Sequence, residues 1–135
     1  MDMNMDVLID KKFNRVWTKA TEDGEKYALV LEGDDGSYVL EHSQDCCEHV
    51  YIEDIVVSSM YDGLECLINT PILSAERVTS DNITPAGITE PERDDSFTWT
   101  FFKLTTLKGY VDIRFFGSSN GYYSEDATLS EYEPD

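Results

Sequence analysis

The residues of this sequence best suited to chemistry are concentrated in one segment, EHSQDCCEHVYIEDI, which spans residues 41–55. Two adjacent cysteines lie there among two histidines and five carboxylates. Cysteine, histidine and carboxylate side chains are the usual ligands of zinc, and a cysteine beside a histidine can also act as a nucleophile. The segment therefore raises three possibilities: a metal site, a reactive thiol, or a buried cysteine bordered by acidic residues.

The spacing of these residues does not favour a metal site. Structural zinc sites take four ligands, commonly from pairs of cysteines separated by two residues, and the sequence has no such pair. On a helix, His42, Cys46 and His49 would share one face. On a strand, Cys46 and Cys47 would point to opposite faces and could not easily hold one ion. We therefore expect no bound metal and no cofactor, with one cysteine packed in the core.

Nucleophilic catalysis is not favoured either, and we expect that the protein is not an enzyme. Acidic surroundings raise the pKa of a thiol and so disfavour the reactive thiolate. The sequence has no glycine-rich phosphate loop and no nucleotide-binding fingerprint. The odd number of cysteines, three, argues against a disulfide framework. Neighbouring cysteines rarely pair, because the small ring they close strains the peptide bond between them.

The charge of the chain restricts its partners. The formal net charge is −18, and residues 27–76 contain no lysine or arginine. Such a surface repels nucleic acids and anionic membranes, would attract a basic groove on another protein, and otherwise serves solubility. No apolar run is long enough to span a membrane, and the N-terminal residues lack the positive charge of a signal peptide. We expect a cytoplasmic protein that binds neither nucleic acid nor membrane directly, with a homo-oligomer as an open possibility.

The elements that must position these residues are mostly strands. KYALVLEG, the turn GDDG and SYVLEH predict a hairpin over residues 26–42, in which Gly33 and Gly36 give the turn its conformational freedom. HVYIEDIVV is rich in β-branched residues and predicts another strand, and PILSAERVTS predicts one more. The residues suited to chemistry therefore lie at the start of a strand, directly after a hairpin.

The last third of the chain gives the clearest pattern. In SFTWTFFKLTT and GYVDIRFFG, alternation predicts two strands that each carry one apolar face. These faces comprise Phe97, Trp99 and Phe101 on the first strand and Val111, Ile113 and Phe115 on the second. The dipeptide Asn120-Gly121 favours a hairpin turn after them. The prediction is an antiparallel meander over residues 96–128, with Trp99 buried.

The remaining segments complete a mainly β (α+β) single domain over residues 1–135. MYDGLECLIN predicts one short helix with an apolar face, which Pro71 ends. Residues 81–95 are acidic and carry two prolines and a glycine, which predicts a mobile loop, and residues 129–135 predict a frayed acidic tail. We expect a strongly bent or barrel-like antiparallel sheet that carries the helix.

Two segments, HSQDCCEHVYIEDI and SFTWTFFKLTTLKGYVDIRFFGSSNGYYSE, resemble a family of small acidic proteins encoded by tailed bacteriophages. The family pattern places Asp-Cys-Cys-Glu before a Val-Tyr-Ile-Glu-Asp strand. Thr-Trp-Thr-Phe, Lys-Gly, Ile-Arg and Ser-Asn-Gly-Tyr-Tyr-Ser follow later in the chain. The resemblance covers residues 38–125, although Ser58, Ser59 and Met60 stand where family members often carry acids. The family is largely of unknown function, so the resemblance implies phage origin more firmly than any activity.

The resemblance implies an accessory protein that acts on the bacterial host, with a host defence component or its signalling molecule as partner. The first hypothesis is that the protein counteracts antiviral defence by sequestering a small-molecule signal, such as a nucleotide. Arg114 and Lys103 would then contact phosphate, and Tyr122, Tyr123 and Trp99 would stack on a base. The candidate ligand-binding residues are Asp45, Cys46, Cys47, Glu48, Trp99, Lys103, Arg114, Asn120, Tyr122 and Tyr123.

The net charge favours an alternative hypothesis. An acidic, DNA-mimic-like inhibitor could occupy the basic groove of a host defence nuclease or another DNA-binding protein. A charge of −18 also penalises the binding of an anionic signal, unless arginine and lysine side chains converge on one pocket. The two hypotheses therefore differ in which residues matter: the motif residues or the scattered acids.

Overall fold

The computed structural model describes residues 3–134, which form eight strands and two short 3-10 turns. The strands are β1 (Arg15–Ala20), β2 (Lys26–Gly33), β3 (Gly36–Glu41), β4 (His49–Ser59), β5 (Ser74–Asp81), β6 (Ser96–Thr106), β7 (Gly109–Ser119) and β8 (Thr128–Glu131). The 3-10 turns are Met5–Leu8 and Gly63–Leu67. No helical segment between residues 3 and 134 has the length and apolar character needed to cross a lipid bilayer.

The strands form two four-stranded antiparallel sheets, with the orders β1-β2-β3-β8 and β4-β7-β6-β5. The prediction of a mainly β fold is confirmed. The prediction of a single bent or barrel-like sheet is wrong, because the strands of residues 3–134 divide into two sheets that do not close into a barrel. The predicted hairpin is present as β2 and β3, with Gly33 opposite Gly36 across a two-residue turn.

The main core lies between the two sheets. Side chains of a strand point to opposite faces in turn, so β7 directs alternate residues inward. Val111, Ile113 and Phe115 are fully buried, as the alternation predicts. They belong to one apolar cluster with side chains of the first sheet, such as Leu29 and Leu40. Removing this surface from water, at about 25 cal/mol per Å² of apolar area, holds the sheets together.

A second apolar cluster lies on the outer face of the β4-β7-β6-β5 sheet. Its buried members are Phe97, Trp99, Phe101 and Phe116. The segment 82–95 covers it: the Thr84 hydroxyl accepts the indole N–H of Trp99 at 3.0 Å, and Ile88 packs against the cluster. The predicted burial of Trp99 is therefore confirmed, beneath this segment rather than between the sheets. The mobility of residues 81–95 stays a prediction.

The predicted helix in MYDGLECLIN is wrong, because the segment forms only the 3-10 turn Gly63–Leu67. Gly63 has φ 56°, a left-handed conformation that an α-helix does not contain. A segment of five residues is also too short to be a stable helix by itself. The apolar side of the segment is nevertheless used: Leu67 is buried, and Leu64 and Ile68 pack against the main core.

The third strand of the predicted meander joins the other sheet. Gly121, with φ 97°, bends the chain after β7, but β8 then pairs with β3. An Asn-Gly dipeptide specifies a local turn and not the partner of the next strand, which explains the error. The predicted frayed tail is paired through β8, and the Tyr132 N–H donates to the Ser37 carbonyl at 2.9 Å. Fraying beyond Tyr132 stays a prediction, and Asp135 lies outside the described residues.

Candidate functional site

A polar slot opens at the β5 edge of the second sheet, between that edge and residues 123–126. Its volume is about 370 Å³. One wall consists of Arg77, Thr79 and Asp81 on β5, which alternate along the strand and point toward the inner face. Ser96 and Thr98 at the start of β6 extend this wall, and Tyr123, Ser124, Glu125 and Asp126 form the other. The slot is therefore a gap in the sandwich lined by polar side chains.

Glu125 is the buried acid of the polar slot, with only 6% of its surface exposed. Its Oε1 accepts hydrogen bonds from the hydroxyls of Ser96 and Thr98, each at 3.1 Å, and the Ser119 hydroxyl donates to Oε2. No lysine, arginine or histidine within residues 3–134 forms an ion pair with it. Hydroxyl donors offset only part of the cost of burying a charge, so this site favours an additional cation or hydrogen-bond donor.

Thr98 contacts two carboxylates of the polar slot at once. Its hydroxyl oxygen lies 3.1 Å from Oδ1 of Asp81 and 3.1 Å from Oε1 of Glu125. A hydroxyl carries one proton and can donate it to only one acceptor at a time. One of the two carboxylates therefore keeps an acceptor that a ligand could fill.

Arg77 is the basic residue among the side chains that line the polar slot, and it is already engaged. Its Nη2 pairs with Oδ2 of Asp126, and its Nε donates to the Ala127 carbonyl at 2.9 Å. The slot thus presents three carboxylates, on Asp81, Glu125 and Asp126, against one guanidinium. This excess of negative charge favours ligands rich in hydroxyl or amino groups over phosphates.

A buried histidine connects the polar slot to the Asp-Cys-Cys-Glu segment. Nδ1 of His42 lies 2.7 Å from the Asp126 carbonyl oxygen, and Nε2 lies 2.7 Å from Oε2 of Glu48. A carbonyl oxygen only accepts, so Nδ1 donates to it, and an imidazolium ring can donate to both oxygens together. The side chains of His42 and Glu48 are 6% and 0% exposed. His42 therefore joins the Asp-Cys-Cys-Glu segment to Asp126, the residue directly after the second segment of the phage resemblance.

The Glu48 carboxylate organises the loop before β4. It accepts the backbone N–H groups of Asp45 and Cys46, each at 2.8 Å, in addition to the contact with His42. Burial alone raises the pKa of Glu48. The hydrogen bonds from Asp45, His42 and Cys46 outweigh burial and lower the pKa from its ordinary 4.5 to about 2. Glu48 is therefore ionised at neutral pH, and its carboxylate accepts hydrogen bonds from several parts of the loop.

Gly117 on β7 allows residues 123–126 to approach the sheet. A Cβ at this position would collide with the carbonyl oxygen of Glu125. Any other residue would push the Glu125 segment away from β7, so a glycine is required for the polar slot to have this shape.

Comparison with known proteins places the chain in a family. Residues 6–129 match the family described as Domain of unknown function (DUF7448). The chain belongs to the DUF7448 family. No curated protein and no solved structure matches it. Membership of an uncharacterised family is thus confirmed, and the phage origin stays a prediction.

The DUF7448 domain brings some of the predicted ligand-binding residues to the polar slot. Tyr123 lines the slot. Asn120 and Tyr122 lie in the exposed turn that leads into it, where Oδ1 of Asn120 accepts the Tyr122 N–H at 3.3 Å. Glu48 is buried and is linked to the slot wall through His42, and Asp45 adjoins Glu48 at the surface. These residues therefore surround one region, although only Tyr123 contacts the slot directly.

Cys46 and Cys47 are both exposed, and the structure joins them by a disulfide. This corrects the expectation that the neighbours do not pair. The two residues lie in a bend and not on a strand, so the alternation that would separate their side chains does not apply. The expectation that one cysteine of this pair packs in the core is wrong, because both are exposed. The free, buried cysteine is Cys66, whose thiol pKa is raised by burial. Within residues 3–134, no group of three or more His, Cys, Asp or Glu side chains converges on a metal position, and the absence of metal stays a prediction.

The DUF7448 domain places Trp99, Lys103 and Arg114 away from the polar slot, toward the outer face of the second sheet. Trp99 is covered there and could not stack on a base unless residues 82–95 moved. Lys103 lies opposite Asp112 in the β6–β7 register. Nη1 of Arg114 lies 3.8 Å from carboxylate oxygens of Glu53 and Asp54. The residues predicted to contact phosphate are therefore surrounded by acids, not focused in a pocket.

Burial raises the pKa values of two acids on this outer face. It raises the pKa of Glu53, together with the charge of Asp54 and against the opposing charge of Arg114. Burial likewise raises the pKa of Asp112, against Lys103 and Arg114. Such shifts weaken the negative charge of the face as the pH falls. The outer face is therefore a sheet surface of paired charges rather than an anion site.

Sequence reasoning predicted only Tyr123 among the ten residues that line the polar slot. The charged residues that it missed are Arg77, Asp81, Glu125 and Asp126. A signal for two of them exists in SAERVTSD, where Arg77 and Asp81 share the strand face of the buried Ala75. Polar side chains on an inward strand face need partners or a cavity, so this pattern could have indicated the slot. Nothing local in the sequence indicates that residues 125–126 lie against β5.

Proposed function

We propose that this protein is a non-enzymatic binding protein that sequesters a small molecule rich in hydrogen-bond donors in the polar slot. Following the phage resemblance, we also propose that it counteracts host antiviral defence by removing a small-molecule signal. The observation that supports binding is Glu125, a buried carboxylate beside an open slot that has hydroxyl partners and no cation within the described chain. The role in defence rests on the resemblance alone.

The chemistry of the polar slot suggests the class of ligand. Asp81 and Glu125 share one hydroxyl proton, so hydroxyl or amino groups of a ligand would supply the donor that is missing. The ring of Tyr123 offers a surface for a planar group. A nucleoside combines both features, with ribose hydroxyls for the carboxylates and a base for the tyrosine. Phosphates on it would have to point away from the acids, with Arg77 as the basic group within reach.

A binding role is supported over a catalytic one by the residues that line the polar slot. They include hydroxyls, carboxylates, an amide and a guanidinium, and they include no cysteine or histidine. The lining therefore lacks the serine–histidine and cysteine–histidine pairs that common hydrolases use. His42, which contacts the Asp126 carbonyl of the slot wall, has a buried side chain with both ring nitrogens engaged.

Isothermal titration of the whole protein against nucleosides, cyclic and linear nucleotides, and polyamines tests the proposal. We expect at least one hydroxyl- or amine-rich compound to bind the wild type. Asp81→Asn and Tyr123→Ala should each weaken that binding by about tenfold or more, which corresponds to roughly 1.4 kcal/mol. Asp34→Asn, an exposed acid on the β2–β3 turn, is the matched control and should bind like the wild type.

Circular dichroism confirms that each variant is folded before binding is compared. Equal binding by the wild type and both slot variants would place the ligand elsewhere and contradict the proposed site. A panel without any binder, together with a protective effect on phage that both slot variants retain, would contradict the binding function itself.

The net charge supports a second candidate, an acidic inhibitor of a DNA-binding defence protein. Residues 27–76, without a lysine or arginine, supply most of β2 and all of β3 and β4. Exposed acids of this stretch, such as Asp34, Asp54 and Glu65, could meet a basic groove. This candidate requires scattered surface charge and does not require the polar slot.

A further inference from the structure

The two adjacent cysteines differ sharply from the third in their surroundings. Cys46 and Cys47 are exposed at the surface, whereas Cys66 is fully buried. Reaction with a small molecule in solvent requires an accessible sulfur, so the pair meets this requirement and Cys66 does not. Burial also raises the pKa of Cys66, which keeps that thiol protonated and unreactive. The protein therefore contains an accessible pair and, in Cys66, a buried internal control.

The loop around the cysteines is held by groups other than their sulfurs. The Asp45 and Cys46 N–H groups donate to the Glu48 carboxylate. The Gln44 side-chain amide donates to the carbonyl of Cys46 at 3.2 Å and to that of Glu48 at 2.7 Å. These contacts fix the backbone on both sides of the sulfurs and join it to the buried Glu48. The sulfur atoms can therefore change partners while the loop keeps its anchor.

We propose that Cys46 and Cys47 form a redox site that exchanges with low-molecular-weight disulfides. In the reduced protein, one cysteine thiolate attacks a sulfur of the small disulfide, forms a mixed disulfide with the protein and releases one small thiol. The neighbouring cysteine, as thiolate, then attacks the protein sulfur of this mixed disulfide. The bond between Cys46 and Cys47 forms, and the second small thiol leaves.

The exchange conserves atoms and electrons. The two protein thiols lose two electrons and two protons in total, and the small disulfide gains both and becomes two thiols. Adjacency in sequence makes the second step intramolecular, so the resolving sulfur does not have to be brought in from another part of the fold. The site does not depend on the ligand proposed for the polar slot.

Thiol counting by mass spectrometry tests the proposal. The whole protein is reduced with a phosphine, desalted, incubated with graded mixtures of reduced and oxidised glutathione, quenched with acid, and alkylated in denaturant. Fully reduced wild type should carry three alkyl groups, one for each cysteine. Under oxidising mixtures the count should fall to one, on Cys66, without a retained glutathione and without a dimer. Adding excess reduced glutathione should restore three.

Two conservative variants separate the steps. Cys47→Ser should stop after the first step and retain one glutathione on Cys46. Cys66→Ser, which leaves the pair intact, should still lose two alkylatable thiols on oxidation. Three alkylatable thiols in the oxidised wild type would overturn the proposal, and so would stable glutathione adducts or disulfide-linked dimers. Circular dichroism before and after oxidation should show the same β spectrum, and loss of that spectrum would also overturn it.

Discussion

Glu48 is the residue whose replacement should reveal most about how the candidate site is held together. Its carboxylate accepts two backbone N–H groups and faces His42. Because the folded-state pKa of about 2 lies below the ordinary 4.5, the ionised group stabilises the fold above about pH 4.5. That stability is lost as the pH falls from 4.5 through 2. We therefore expect Glu48→Gln to be less stable than the wild type at pH 7, with a difference that shrinks in acid.

Urea unfolding between pH 7 and pH 3 measures this difference. Glu22→Gln, a carboxylate exposed on the β1–β2 turn, is the control and should follow the wild type at every pH. A destabilisation by Glu48→Gln that stays constant across this range would mean that packing, and not the ionised carboxylate, accounts for the effect.

Single residues were only partly predictable from the sequence. The Asp-Cys-Cys-Glu motif marks residues 45–48, but residue types alone do not predict that the Glu48 side chain is buried beneath its own loop. The reason is physical: a carboxylate that turns back to accept N–H groups depends on the path of the loop, which no residue spacing specifies. The expected strain in the small ring does not predict the pairing of Cys46 and Cys47.

At the scale of elements, the segment 82–95 acts as a cover for the outer apolar cluster, with Trp99 as its anchor. Trp99 packs on Phe116 with ring centroids 4.8 Å apart and donates its indole N–H to Thr84. We expect Trp99→Ala to lower the free energy of unfolding by about 3–5 kcal/mol, as for other buried aromatic side chains. The same change should release the cover and make it sensitive to limited proteolysis.

Tyr122→Ala is the matched control for Trp99→Ala, because the Tyr122 side chain is 84% exposed. It should change the free energy of unfolding by less than about 0.5 kcal/mol. Chemical denaturation and a timed digestion of both variants supply the comparison. If Trp99→Ala unfolds within about 1 kcal/mol of the wild type, the segment does not depend on Trp99 and the cover is held elsewhere.

Elements with a clear alternation were predictable, and their long-range partners were not. The faces of β6 and β7 follow from side-chain period alone, which is why Val111 and Phe115 were placed correctly. The pairing of β8 with β3 joins residues about ninety positions apart and depends on the packing of the whole sandwich. The polar slot forms where the segment between β7 and β8 runs beside β5. Local sequence pattern therefore does not predict its geometry.

For the whole molecule, the two candidate functions place different demands on the distribution of charge. Exposed acids lie at both ends of β2, with Glu22 and Asp23 in the turn before it and Asp34 and Asp35 in the turn after it. A strand of eight residues separates these ends by roughly 26 Å, more than the Debye length of about 8 Å at physiological salt. These exposed acids therefore form two separate groups whose charges are screened from each other, an arrangement that serves solubility without any partner.

The two candidate functions predict opposite effects of changing the surface acids and of changing the polar slot. On the slot hypothesis, reversing charge with Asp34→Lys and Asp35→Lys should leave protection of phage intact, whereas Asp81→Asn and Tyr123→Ala should abolish it. On the inhibitor hypothesis the outcome is the opposite, and association with a basic partner should also weaken steeply as salt rises, because exposed charges are screened. A phage-protection assay on both variant sets, with circular dichroism to confirm folding, makes the comparison. Full protection by the slot variants and none by the charge reversals would mean that the binding proposal is wrong and that the acidic surface carries the function.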